Sequence, residues 1–291
     1  AWIFIENSGA INIGGIGATT GVSTLTAGAT SNVEIYTANV GGGDITISED
    51  IDAAAGGRVF IQTGLAATNA DINLNADLTT TGGSVTLTAS DSIFLSATGS
   101  ITSTGVSNVQ LTANNVGGTT GDDGHVINMN AASTIDAGAA TLITLTSVGS
   151  DLVATNSGDI TLGTLITTGA GNVTLDTFDA GVVNSGAATN VNAANANLII
   201  DAATGVGNGG AIETTVATLD IDNATSGNVD ILESDGVTIN KIAQAAAGDI
   251  NLESTTGTVT VASGQSGVTT AGTGTITLFA NGGNAGDLVV S

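Results

Sequence analysis

Short segments with Ile, Val or Leu at alternate positions, and Thr, Asn, Ser or Asp between them, recur along the whole chain. Alternation with period two predicts strands, because successive side chains of an extended chain point to opposite faces. The segments come in repeating sets. Ile72, Leu74, Leu78, Val85 and Leu87 return without a gap as Ile160, Leu162, Ile166, Val173 and Leu175 (160 − 72 = 88). Ile93, Leu95, Ala97, Ile101, Val109 and Leu111 return as Ile127, Met129, Ala131, Ile135, Ile143 and Leu145 (127 − 93 = 34). Ile45, Ile47, Ile51, Val59 and Ile61 follow the same order with one extra residue, and Val259, Val261, Val268, Ile276 and Leu278 follow it loosely. No segment shows the 3.6-residue period of a helix over ten or more positions, and the 43 glycines would weaken one.

Each unit thus predicts three short strands joined by Gly-, Asn- and Ser-rich turns. A unit this small cannot bury its own apolar face, so successive units must stack, and about ten fit in the chain. At the ~4.8 Å spacing of neighbouring strands the stack is a rod roughly 50 Å long. The competing all-β arrangement, a sandwich of hairpins, calls for Asn-Gly or Asp-Gly turns, of which Asp235-Gly236 is one of few. The expected fold is therefore all-β, a parallel β-helix (β-solenoid) of about ten coils. Its core is narrow and aliphatic, and the few aromatic residues must find places at chosen rungs.

Composition removes several functions. Two basic residues, Arg58 and Lys241, stand against 26 acidic ones, a net charge of -24. A nucleic-acid binder needs a basic surface, so none is expected here. Without cysteine there is no disulfide framework and no thiolate-held metal. No apolar run approaches the ~20 residues of a membrane-spanning helix. The charge itself opposes lateral sticking of a long β-rod, and salt screens it over ~8 Å.

The phrases Gly43 to Ile47, Ser84 to Ala89, Gly99 to Gly105, Gly171 to Leu175 and Gly248 to Leu252 resemble those of filamentous-haemagglutinin-like adhesins and of long β-strand-repeat proteins of bacterial surfaces. The resemblance is one of repeat style and covers most of the chain. It implies a secreted, right-handed β-helix that displays or extends something at the cell surface, without the secretion-recognition domain or membrane barrel of such proteins.

Candidate chemistry is sparse. The single histidine, His125, follows Asp122 and Asp123 in a Gly-rich stretch, with no nucleophile motif nearby, and reads as a loop residue. Asp220 and Asp222 share a strand face, and Glu49, Asp50 and Asp52 cluster in sequence, as carboxylates do in polysaccharide-cleaving β-helices. Arg58 and Lys241 lie too far apart in sequence to serve one acidic-sugar site. Asp44, Asp71, Asp159 and Asp249 each precede the first Ile of a unit. Stacked one above another they would repel unless calcium bridged them, and the simpler reading is a turn residue bonding to its own backbone. Gly282 to Asp287 resembles a calcium-binding nonapeptide, with Ala285 in place of a glycine. Thr86, Thr88, Thr144, Thr146, Thr174, Thr275 and Thr277 are expected outward in a flat array, interrupted by Gln110 and Asp176, of the sort that ice-binding faces present; strand propensity alone also selects threonine there.

The chain opens at Ala1 to Glu6 and closes at Asp287 to Ser291 in strand pattern. Residues 1–291 are read as one solenoid domain, a segment of a longer protein, or alternatively a unit whose ends pair between copies. The expected function is structural and not enzymatic: an extracellular, cell-surface adhesin stalk or spacer. The alternative is a subunit of a self-assembling filament or sheath, and after it a calcium- or ice-binding surface module. No catalytic, cofactor or metal residue is assigned. Expected partners are copies of the chain, neighbouring coils, or a surface or glycan receptor.

Overall fold

The computed structural model describes residues 2–15, 21–24, 31–38, 42–54, 56–64, 69–113, 126–148, 158–281 and 287–290. Among them every regular element is a β-strand. All strand pairs are parallel, and the single antiparallel contact is an isolated bridge between Val106 and Gly138. The chain therefore winds as a parallel β-helix, each coil laying its strands on those of the coil before.

Three faces form the first coils. The first starts with Trp2–Asn7, the second with Ile11–Ile13 and the third with Val22–Thr24. The 34-residue repeat is a direct one-coil step, since Ile93 pairs with Ile127, Ile101 with Ile135 and Val109 with Ile143. An interior ladder runs on the first face through Ile3, Val33, Val59, Val85, Val109, Ile143, Val173, Leu198, Leu219, Ile239 and Val261. A second follows two residues later, from Ile5 and Ile35 to Ile242 and Val268. Between their ends these side chains are almost fully buried. Each contributes about 1.5–3 kcal/mol on leaving water, which is how a thin core holds so many short strands.

Two features depart from the expected pattern. No aromatic residue belongs to the buried core. A flat ring needs more width than stacked Ile, Val and Leu leave, so the rings point outward. The last repeat is also out of phase. Val259 and Val261 continue the first face, on Val237 and Ile239, whereas Ile45 and Ile47 belong to the second. The coil has shortened by then: Val109 to Ile143 spans 34 residues (143 − 109), Leu219 to Ile239 only 20 (239 − 219). Val191–Ala202 and Ile212–Asn223 are long strands that run from the third face onto the first. Val229–Glu233 then covers both the second face, through Val206, and the third, through Ile212 and Thr214. Two faces merge into one, and three strands per coil become two.

The interior is not wholly apolar. At the end of the first-face strands the inward position is often polar: Thr37, Thr63, Ser147, Thr177, Asn223 and Gln244 are all buried. They serve the turns at this corner, in their own and in neighbouring coils. The Thr37 hydroxyl accepts from Gly64 N–H at 3.0 Å, Asn223 Oδ1 accepts from Gly205 N–H at 2.9 Å, and Gln244 Nε2 donates to the Gly227 carbonyl at 2.9 Å. Such turns carry backbone groups that no strand satisfies, and inward hydroxyls and amides supply the partners.

Candidate functional site

Of the aspartates before each unit-opening Ile only Asp44 and Asp71 stand on adjacent coils, and all four carboxylates point to backbone. Asp44 Oδ1 accepts from Asp71 N–H at 3.0 Å, and Asp71 Oδ1 from Ser92 N–H at 3.1 Å. Asp159 Oδ1 accepts from Gly181 N–H at 2.8 Å, and Asp249 Oδ1 from Thr275 N–H at 2.7 Å and Thr275 Oγ1 at 2.8 Å. The turn role stands with one correction: the bond goes to the next coil, not to the residue's own backbone. Each carboxylate thus ties two coils together. Burial pushes the Asp159 carboxyl above its ordinary value, while the hydrogen bonds from Thr275 lower that of Asp249. Among the described residues no three His, Asp or Glu side chains converge as a metal cluster. Most of the nonapeptide-like stretch, 282–286, and His125 with Asp122 and Asp123 lie outside the described residues.

The acidic triplet Glu49, Asp50 and Asp52 disperses. Glu49 Oε1 accepts from Gly15 N–H, Asp50 Oδ1 accepts from Asp77 N–H, and Asp52 sits on the outer side of its strand between Ser23 and Thr79. Asp220 and Asp222 do share one outer face, in a carboxylate row. Asp176, Asp201 and Asp222 are paired on successive first-face strands. Burial and the facing Asp201 charge raise the Asp176 carboxyl above its ordinary value. Lys241 closes the row, with Nζ 2.5 Å from Asp222 Oδ2; this bond, with the Asp222, Asp220 and Asp201 charges, holds its amine above the usual lysine value. Lys241→Met should cost under about 1 kcal/mol at low salt and almost nothing near ~1 M salt, where screening shortens to ~3 Å. Chemical denaturation at the two salt concentrations measures this, and an equal loss at both would assign the role to the lysine stem.

The threonine array is real on the first face but smaller than expected. Thr86, Gln110, Thr144 and Thr174 form one outward row, and Thr88, Thr112, Thr146 and Asp176 the next. Thr275 and Thr277 are on the second face, where Thr277 pairs with Asn251 and Thr275 caps Asp249.

Two features escaped the sequence reading. Glu233 is fully buried, inside the merged face, at the position where Thr214 precedes it and Ser254 follows. It accepts from Thr214 Oγ1 at 2.6 Å and from Val216 N–H at 3.3 Å. Burial, offset in part by Thr214, pushes its carboxyl up to about 7. The alternation Val229, Ile231, Glu233 was the available signal, because it places the glutamate on the inward phase.

The second is an outward aromatic cluster. Trp2 and Phe4, Tyr36, and Phe60 stand on three successive first-face strands, Trp2–Asn7, Asn32–Thr37 and Val59–Gln62. Ring centroids lie 6.4 Å apart for Trp2–Phe4, edge to face, then 5.4 Å for Phe4–Tyr36 and 5.5 Å for Tyr36–Phe60. Trp2 is 68% and Phe4 53% exposed. Glu34, buried beneath, forms an ion pair with Arg58 and accepts from the Tyr36 hydroxyl at 3.3 Å. Arg58 lies 5.9 Å over the Phe60 ring. Burial and the Glu34 charge raise the Tyr36 phenol above its ordinary value. A hollow of about 290 Å³ opens beside Phe4 and Tyr36, lined also by Glu6, Thr37, Ala38 and Gln62. A larger groove of about 550 Å³ runs over the merged face, between Leu232, Phe279, Asp230 and Glu253.

Fold and surface together define a parallel β-helix repeat protein. Compared with protein-family models, with curated proteins and with solved structures, the chain finds no match in any of the three.

Proposed function

We propose that the chain is a structural rod, a stalk or spacer held at a cell surface as in the bacterial surface proteins whose repeat phrases it resembles. The observation that supports this best is the unbroken aliphatic ladder from Ile3 to Val261. Each coil rests only on its neighbours, so length is gained by adding coils and stiffness comes from backbone bonds that run along the axis. The outer rows of Thr, Asn, Gln and Asp stay wet, and a charge of -24 keeps rods apart. Asp44, Asp71, Asp159 and Asp249 are engaged with backbone, and Asp222 and Glu34 with Lys241 and Arg58, and this favours a scaffold over a hydrolytic centre. An antibody raised against the rod should label intact cells that carry the gene. Labelling only after lysis would end the surface assignment.

A further inference from the structure

We propose that Trp2, Phe4, Tyr36 and Phe60 form a binding platform for neutral glycans. The chain has one Trp, one Tyr, five Phe and two cations, and five of these nine residues lie together: four on three neighbouring strands, and Arg58 just before the third of them. Packing does not require them, since the inward residues of the same strands are Ile3, Ile5, Val33, Ile35, Val59 and Ile61.

The geometry selects the ligand. Tyr36 and Phe60 are inclined by 28° and Phe4 and Tyr36 by 36°, with centroids farther apart than face-to-face rings in contact, so neighbouring rings are tilted and spaced and do not close face to face. The negative ring face attracts the weakly positive C–H side of a pyranose. The ring spacing follows the ~4.8 Å step between coils, so successive sugars can meet successive rings. Glu6 and Gln62, at the rim of the hollow beside Phe4 and Tyr36, offer acceptors and a donor for sugar hydroxyls. Glu34 fixes Arg58 and Tyr36 before any ligand arrives, which lowers the ordering cost of binding. It also neutralises Arg58. With Glu6 the patch is net negative on an acidic chain, so acidic sugars are repelled and neutral ones admitted.

The platform is a property separate from the spacer role: cell labelling tests one, binding in solution the other. Trp2 is the only tryptophan, so its fluorescence reports on the site directly. The full chain is titrated with cellohexaose, xylohexaose, maltohexaose and mannohexaose, and run in native gels containing the matching polysaccharides. At least one sugar should give a saturable fluorescence change and slow migration. Phe4→Ala and Tyr36→Ala should each weaken it about tenfold, while Phe178→Ala, at an exposed ring elsewhere, leaves it unchanged. Far-UV circular dichroism confirms that the variants keep their strands. Silence with all four sugars, or binding that survives both platform variants, overturns the proposal. So does a response to oligolysine in place of sugar, which would make the face a cation site. Sugar-independent fluorescence change with dimer formation in sedimentation would make it a self-association face, and overturns it equally.

Discussion

Gly83→Ala should destabilise the rod by about 3 kcal/mol or more, read as a lower denaturant midpoint in far-UV circular dichroism. A methyl built on Gly83 would stand 1.8 Å from the carbonyl oxygen of Gly57 and 2.3 Å from its carbon. Both atoms are backbone of the adjacent coil and cannot rotate away. Gly57 has the same relation to the Ser31 carbonyl, at 1.9 Å, so this corner of the rod is backbone laid on backbone. Gly56 is the matched control. It has a φ of +78° and nothing within 4 Å of the added methyl, so alanine there costs only the left-handed conformation, about 1 kcal/mol. Equal midpoints for the two variants would show that the corner can open without loss.

The second large effect belongs to Glu233, and its direction is set by burial. The carboxyl titrates at about 7 in the folded chain against 4.5 for the ordinary group. Below pH 4.5 both states hold the proton and the penalty vanishes. As pH rises from 4.5 to 7 the unfolded chain releases it while the folded chain keeps it, and stability falls. Above 7 the loss levels off, at about 3 kcal/mol for a shift of this size. Glu233→Gln keeps the shape and an acceptor for Val216 N–H, and removes the titration. The variant should match the wild type near pH 4.5 and exceed it at pH 8. Other carboxylates titrate in the same range, so the difference between the two proteins is the quantity to follow. A constant difference across pH would mean that the buried carboxyl does not change its proton in this window.

The two experiments bear on what could be read from the residues alone. Ile93 over Ile127 and Val109 over Ile143 were legible because hydrophobic burial forces one phase on each strand, and a slip by one residue would turn the whole strand inside out. The position of Val259 was not. It depends on the merging of two faces after Ile212, and coil length is set by turns that carry no periodic signal. The outward neighbours were hidden for the same reason. Asp220 meets Lys241 across a register shift, and Trp2, Tyr36 and Phe60 converge only once the lengths of two coils are known. Glu233 followed the alternation faithfully, yet its charge argued for the outside. The interior Thr and Asn positions at the turns belong to the same class, polar by chemistry and buried by phase.

The setting of the two cations has a bearing on resistance to proteolysis. A protease that cuts after basic residues finds two bonds, one after Arg58 and one after Lys241. The Arg58 carbonyl is bound by Val33 N–H, and Lys241 lies within a strand flanked on both sides, by Asp220 and by Gly267. Neither bond can enter a trypsin-like cleft until its coil has peeled away, so digestion by such enzymes will track the opening of two specific turns of the rod.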